Sequence, residues 1–327
     1  MTFSLRMRRN LKQRDIPSAD QAFNSARHRQ LIRALLRWYT RHGRHLPWRN
    51  TSDPYRILVS EIMLQQTQVS RVLDRYPLFL RRFPTIRSLA RSPQRDVVVA
   101  WQGMGYNNRA VRLHRLARIV VHQYRGRLPA DADALLNLPG IGRYTAHAIL
   151  AAAFRQQVAV VDVNVRRFLS RFFWAMPTVA AVRKAGEIWV VATRLVPRGT
   201  AYQWNQALMD IGATVCTAHR PLCTRCPVAR GCSSRTSMLR AAVHPLRREA
   251  SLDGVPNRIY RGRIIQELSR SNGRARTRAD ILGRRIYPRF TRRHDRWLSG
   301  LLASLQRDGL VVLHGNGSLS TRHVSLA

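Results

Sequence analysis

Lysine is nearly missing from this chain of 327 residues. Only Lys12 and Lys184 occur, so arginine supplies the rest of its 57 basic side chains. Chemistry that needs a neutral amine as nucleophile therefore has two candidates in the whole sequence. Acid is scarce as well: 17 Asp and Glu leave a formal net charge of +40. Self-repulsion of that size is tolerable where a polyanion is the normal partner, nucleic acid first; a genome rich in arginine codons pushes the same number up. No stretch approaches ~18 consecutive apolar residues, which excludes a membrane-spanning helix and leaves no membrane partner. The arm at residues 1–24 is basic and has no long apolar run, so a secretory signal is not expected. It reads as a loose basic arm, with an organellar transit peptide as the other reading of its arginine richness. The expected location is cytoplasmic and DNA-associated. Cysteine is confined to four residues between 216 and 232. Without an export signal, such clustering reads as metal ligation before disulfides.

What is present is mostly helical. Hydrophobic residues make up 45 %, enough for a globular core, and the length suggests two domains. From "HRQLIRALLRWYTRHGR" onward apolar residues recur at three and four up to Gly231, with Pro or Gly in the breaks "RRFPTIRSLA", "GRLPADADALLNLPG" and "RLVPRGTAYQ". This predicts an all-α body over residues 25–233. Residues 234–256 read as an Arg-rich linker. Residues 257–327 read as three short helices and a hairpin around Gly315-Asn316-Gly317, a winged-helix-like α+β module. The other reading of that module is a helical cap that only packs on the main domain.

Three elements carry chemistry. Cys216, Cys223, Cys226 and Cys232 are separated by six, two and five residues, a spacing that lets four thiolates close around one metal centre. Zinc and a four-iron cluster both accept four thiolates, and spacing does not separate them. His219 and Arg220 sit in the first loop, where they could meet phosphate. In "LPGIGRYTA", Pro139, Gly140 and Gly142 form a hairpin between two apolar helical segments. Backbone N–H groups at such a turn, opening a helix, make an anion site suited to a DNA phosphate. The third element is a pair of acids. In "YRILVSEIMLQQTQVSRVL", Leu58, Ile62, Val69 and Val72 are expected on one helix face with Glu61 on its flank. Partial burial there should raise its pKa, which suits a general acid. Asp162 follows the apolar run "QVAVV" and precedes a helical pattern, so it reads either as an N-cap or as a catalytic carboxylate.

Together these elements resemble the helix-hairpin-helix base-excision DNA glycosylases, and among them the MutY-type adenine glycosylases that act on A/G mismatches. The matching stretches are "LPWR" (46–49), "SEIMLQQTQV" (60–69), "GMGYNNRA" (103–110), "LPGIGRYTA" (138–146), "VVDVNV" (160–165), "WNQALMDIGATVC" (204–216) and the four cysteines. They fall in the family's order over roughly residues 30–233. The resemblance implies two helical subdomains with a cleft between them and a [4Fe-4S] cluster on the 216–232 loop. The implied partner is double-stranded DNA containing a mismatch or an oxidised base, bound by a monomer that extrudes the target nucleotide. It implies that Glu61 protonates the purine at N7, that Asp162 stabilises an oxocarbenium-like sugar, and that Asn164 orients the carboxylates. Arg49 and Asp210 match positions at or around the flipped adenine, and Gln66 and Tyr106 match positions that enter the base stack. Tyr144 stands where related glycosylases that also cut the strand carry a lysine. A phenol forms no Schiff base, which implies a monofunctional hydrolase in which Tyr144 hydrogen-bonds a carboxylate or water.

The sequence departs from that pattern in three places. Val163 follows Asp162 where glycine is common. Met104 and Asn107 stand where leucine and a second tyrosine are frequent. No Nudix-like β domain for reading 8-oxoguanine is found in residues 240–327. Tyrosine at the 144 position also occurs in thymine/uracil mismatch glycosylases, which form the alternative reading, beside a non-catalytic DNA-binding repair factor.

Overall fold

The structure is a computed structural model and describes residues 26–176, 185–240, 251–270, 276–315 and 317–327. The basic arm and both lysines lie outside the described residues, as do residues 241–250 of the expected linker and Asn316. The chain divides into two compact units, one of residues 1–44 and 156–244, the other of residues 45–155 and 245–327.

The first unit contains α1 (Ala26–His42), α9 (Val163–Trp174), α10 (Ala185–Arg194), α11 (Ala201–Asp210) and α12 (Arg235–Arg240). Its core is a single apolar cluster that includes Leu31, Leu35, Phe168, Phe172, Ile188, Trp204, Leu208 and Ile211. Burying such side chains stabilises by about 1.5–3 kcal/mol each, so the 3.6-residue spacing of apolar positions dictates which helix faces turn inward. Past α11 the chain widens into a π-helical turn, Ile211–Val215, and enters the cysteine loop.

The second unit begins with a 3-10 turn (Pro47–Arg49) followed by α2 (Pro54–Leu64), α3 (Val69–Arg82), α4 (Ile86–Arg91), α5 (Gln94–Ala100) and α6 (Asn108–Gln123). Then come α7 (Ala132–Leu136) and α8 (Arg143–Ala153). Asp53 caps α2 by accepting from the N–H groups of Tyr55 and Arg56, with Pro54 in the first turn. Leu58, Met63, Val72, Leu116 and Ile149 lie in its core. The single helix expected across "YRILVSEIMLQQTQVSRVL" is instead two. α2 stops at Leu64, Gln66 takes a left-handed backbone (φ +56°), and Val69 opens α3.

The same unit holds the C-terminal module. A short antiparallel hairpin, β1 (Ser251–Leu252) and β2 (Val255–Pro256), precedes α13 (Asn257–Arg270), β3 (Thr277–Arg278), α14 (Ala279–Ile286) and α15 (Asp295–Arg307). β4 (Val311–His314) and β5 (His323–Leu326) close an antiparallel sheet of order β3-β5-β4, with Val311 opposite Leu326 and Thr277 opposite Val324. The expected three helices and hairpin are there, with an added third strand. Helix α12 and the β1–β2 hairpin fall in the span expected to be a linker. No described helix is long and apolar enough to cross a membrane.

Candidate active site

In the second unit, the hairpin joins α7 to α8. Leu138 and Ile141 are buried and pin it from below, and the Ile141 N–H donates to the Leu138 carbonyl at 3.2 Å. Gly140 has φ +88°, and a Cβ there would stand 3.3 Å from the Arg112 Cβ, so both backbone and space demand glycine. Gly142 is the N-cap of α8 with φ −100° and open space around it. Its requirement is looser. The first N–H groups of α8 have no intrahelical acceptor, which is the donor set an anion would use. Tyr144 sits half-buried in the first turn of α8. Helix α2 packs against α8, and Glu61, also half-buried, lies in its last turns. Gln65 Nε2 donates to Thr145 Oγ1 at 3.4 Å, a link between the two helices. Arg49 ends the 3-10 turn and is half-buried.

Gln66 and Tyr106 are both exposed and both carry positive φ, +56° and +46°. Tyr106 is thus no core tyrosine. Left-handed backbone at such residues costs of order 1–3 kcal/mol each and persists only where the surroundings over-determine it. Arg109 is what over-determines it, and sequence reasoning missed it. Its Nη1 donates to the carbonyls of Ile62, Met63 and Gln65 at 2.8, 2.8 and 2.5 Å. Its Nη2 donates to Thr67 Oγ1, Met104 O and Gly105 O at 2.9, 3.1 and 2.9 Å, and its Nε to Tyr106 O at 3.3 Å. One guanidinium thereby satisfies the last carbonyls of α2 and ties the Gln66 turn to the Tyr106 turn. It lies 5.4 Å from the Trp101 ring centre, and burial pulls its pKa down to about 10, still a full charge at neutral pH. The signal in the sequence was an arginine on an apolar stripe: Arg109 is buried along with Leu113, Leu116 and Val120 on α6.

In the first unit, Asp162 caps α9. Its Oδ1 accepts from the Val165 N–H at 2.7 Å and its Oδ2 from the Asn164 amide at 2.7 Å. Capping and orientation by Asn164 are therefore one arrangement. Burial raises the carboxyl pKa, while the Val165 N–H, the Asn164 amide and the nearby Arg167 charge oppose that rise. Arg167 Nη2 donates to Asn164 Oδ1 at 3.0 Å and to Gly212 O at 2.5 Å, and its Nε to Cys216 O at 3.0 Å. Gly212 lies in the π-helical turn, and a Cβ there would come within 2.8 Å of Asn164 Cβ. Arg167 and Gly212 are further residues that motif reading did not single out. Val163, the departure from the usual glycine, takes the first helical position with its side chain 75 % exposed. It meets no steric objection there.

Asp210 is the last residue of α11. Its carboxylate is fully buried and accepts from Arg44: N–H at 2.9 Å, Nε at 2.8 Å and Nη2 at 2.6 Å. Paired this closely, it is an internal tie of the first unit.

The four cysteines line one pocket with Phe168, Val215, Leu222 and Val228. Arg171 Nη1 stands 3.4 Å from Cys216 Sγ and also donates to Thr217 O at 2.7 Å. Burial pushes the Cys226 thiol up to about 12 and raises Cys223 and Cys232 as well. Buried thiols of this kind become thiolates when a cation compensates them. The donor set thus fits a cationic metal group. Among the described residues no three His, Cys, Asp or Glu side chains are arranged to hold a single metal ion. His219 and Arg220 are exposed at the loop surface, where Thr217 Oγ1 ties the turn by donating to Arg220 O at 2.7 Å.

Residues 59–190 match the family described as HhH-GPD superfamily base excision DNA repair protein. The adenine DNA glycosylase of Mycobacterium tuberculosis is 38 % identical over 288 residues, covering 86 % of this chain and 93 % of the relative. Residues 1–233 are too few to supply that coverage, so the match runs into the C-terminal module. The human adenine DNA glycosylase is 40 % identical over 233 residues, covering 68 % of this chain and 42 % of the relative. Among solved structures, a thermostable thymine-DNA glycosylase aligns with a TM-score of 0.60 and 31 % identity, covering 64 % of this chain and 97 % of that one. A complex of endonuclease III with DNA aligns with a TM-score of 0.56 at 21 % identity, covering 65 % and 97 %, a likeness of fold. The chain belongs to the adenine DNA glycosylases of the HhH-GPD superfamily.

Proposed function

We propose that the protein hydrolyses the N-glycosidic bond of adenine mispaired with 8-oxoguanine or guanine in duplex DNA, and leaves an abasic site. The observation that carries this reading is the match of 86 % of the chain to an adenine DNA glycosylase. Glu61 gives a proton to N7 of the adenine. The bond from C1′ to N9 then breaks, and its electron pair leaves with the base. The cationic sugar is stabilised by the Asp162 carboxylate, by charge or by a transient covalent bond. Water adds at C1′ and releases a proton, completing a hydrolysis run by two carboxylates. Asn164 and the Val165 N–H hold Asp162 in place for this role.

Tyr144 offers no amine, so no Schiff base forms there and the strand is left intact. Gly140 and Gly142 hold a phosphate of the duplex, His219 and Arg220 approach a second one, and Gln66 and Tyr106 enter the stack. Arg49 lies at the extruded base. Cys216, Cys223, Cys226 and Cys232 hold a [4Fe-4S] cluster; four protein thiolates leave no open coordination position, so its contribution is to brace the loop. A brown protein with a visible iron–sulfur band is expected, and a colourless zinc protein would overturn the assignment.

The second reading, thymine or uracil excision opposite guanine, is favoured by the 31 % identity to the thymine-DNA glycosylase. A single-turnover panel decides between them, using duplexes with A opposite 8-oxoguanine, A opposite G, T opposite G and U opposite G. Fastest release of adenine is expected; fastest release of thymine or uracil would reverse the assignment. Borohydride should trap little covalent complex, and efficient trapping would contradict the monofunctional mechanism.

A further inference from the structure

Residues 251–327 carry fifteen arginines against five carboxylates. Four of the carboxylates already have partners. Asp253 accepts from Tyr287 Oη at 2.5 Å, Glu267 pairs with Arg270 at 2.5 Å, Asp280 with Arg278 at 2.8 Å and Asp308 with Arg261 at 2.5 Å. The fifth, Asp295, opens α15. Half of the twelve arginines outside these pairs fall in one place. Arg284, Arg285, Arg289, Arg292, Arg293 and Arg296 fall within thirteen residues, and all six are exposed. Two lysines among 57 basic residues leave 55 arginines in 327 positions, which would put about two in a stretch of that length. General arginine richness does not account for six, although Arg284 shares the field of Asp280.

The fold gives this cluster a form. α14 and α15 are joined by a turn and followed by the β4–β5 hairpin, with β3 on the outer side of β5. That is the arrangement of a winged helix-turn-helix. In helix-turn-helix modules the second helix enters the major groove with its N-terminal residues, and surrounding basic side chains take phosphates. Here the second helix is α15, and the six arginines occupy the end of α14, the turn and the first turn of α15.

The module is fixed to the rest of its unit from the other end. Gln94 Nε2 donates to Gly309 O at 3.2 Å, and Gln102 Nε2 to Ser269 Oγ at 2.6 Å. A Cβ on Gly309 would meet Val111 at 3.8 Å. Ser269 lies in the last turn of α13 and Gly309 just past the end of α15. Thirteen residues of helix rise about 20 Å, so the arginine-bearing start of α15 is far from these anchors. Packing on the body and presenting a basic face are thus compatible roles for one module.

We infer that the α14–α15 turn is a second duplex-binding surface, which grips DNA phosphates through Arg292, Arg293 and Arg296 whatever base is excised. Each phosphate contact contributes about 0.9 to the slope of log affinity against log salt. Replacing all three with alanine in the full chain should therefore lower that slope by about 2–3 on an undamaged duplex. The measurement is fluorescence anisotropy of a labelled 30-base-pair duplex without a mismatch. The single-turnover excision rate at saturating enzyme should stay unchanged. A triple lysine variant should keep the slope, because a phosphate contact needs charge rather than a planar fork. An unchanged slope in the alanine variant, or a lysine variant as weak as alanine, would overturn the inference. No excision is needed for this readout, so a protein that releases the wrong base, or none, does not affect it.

Discussion

Both units use buried arginine to hold functional backbone, yet they spend the charge differently. In the second unit Arg109 donates to seven oxygens, none of them a carboxylate. Its charge is spread over carbonyl dipoles, and its product is geometry: two exposed turns fixed in left-handed backbone. In the first unit Arg167 also reaches carbonyls, at Gly212 and Cys216, but its third bond goes to the amide that orients Asp162. Its charge is felt by Asp162 itself. The difference separates a brace for two exposed turns from a brace coupled to the ionisation of Asp162, the reacting group of the proposed mechanism.

The largest effect is expected at that reacting group. Asp162→Asn should lower single-turnover base release by at least about 10³-fold, and Glu61→Gln by roughly 10²–10⁴-fold. Duplex affinity should change little in either variant, and normal excision by both would remove the two-carboxylate mechanism. Next comes the comparison itself. Arg109→Met strands several buried carbonyls at about 1–3 kcal/mol for each group left unsatisfied. Urea unfolding should register the loss, and Arg109→Lys should recover only part of it, since an ammonium has three donors for seven acceptors. The pH dependence of excision by the folded fraction should not move. Arg167→Met should do the converse, with a smaller stability loss and a shifted pH profile. Equal behaviour of the two variants would break the distinction.

The sign of that shift follows from the environment of Asp162. Burial raises its pKa, and the Asn164 amide and Arg167 charge hold the rise back. The carboxylate must be ionised to stabilise a cationic sugar, so excision falls as pH drops through this raised value. Asn164→Ala or Arg167→Met removes a group that favours the anion, and the acid limb should move to higher pH. An acid limb that moves down, or stays put, would sever Asn164 and Arg167 from the carboxylate. The smallest effects are expected in the hairpin. Gly140→Ala imposes a side chain on φ +88° and should cost about 1–3 kcal/mol, with weaker DNA binding. Gly142→Ala, with open space and φ −100°, should cost under about 1 kcal/mol.

Much of this was legible in the amino-acid order because it depends on short-range spacing. Cys216 to Cys232 lie within one loop, Asp162 and Asn164 within one helix start, and Gly140 within one turn, so neighbours along the chain are neighbours in space. Apolar periodicity likewise marked the helical body and the three helices of the C-terminal module. The break at Gln65–Gln68 was not legible. Its apolar residues continue the helical period, and only Arg109, more than forty positions away, makes ending α2 there favourable. The tie between Asp210 and Arg44 was illegible for a similar reason, because the two are 166 positions apart. In a chain with 57 basic side chains, nothing in composition distinguishes the arginines that face water from those that turn inward. Local spacing by itself determined the thiol loop, the hairpin and the two acids. Tertiary packing alone decided which arginines are buried, because a guanidinium leaves water only where folded backbone supplies enough oxygens to replace it.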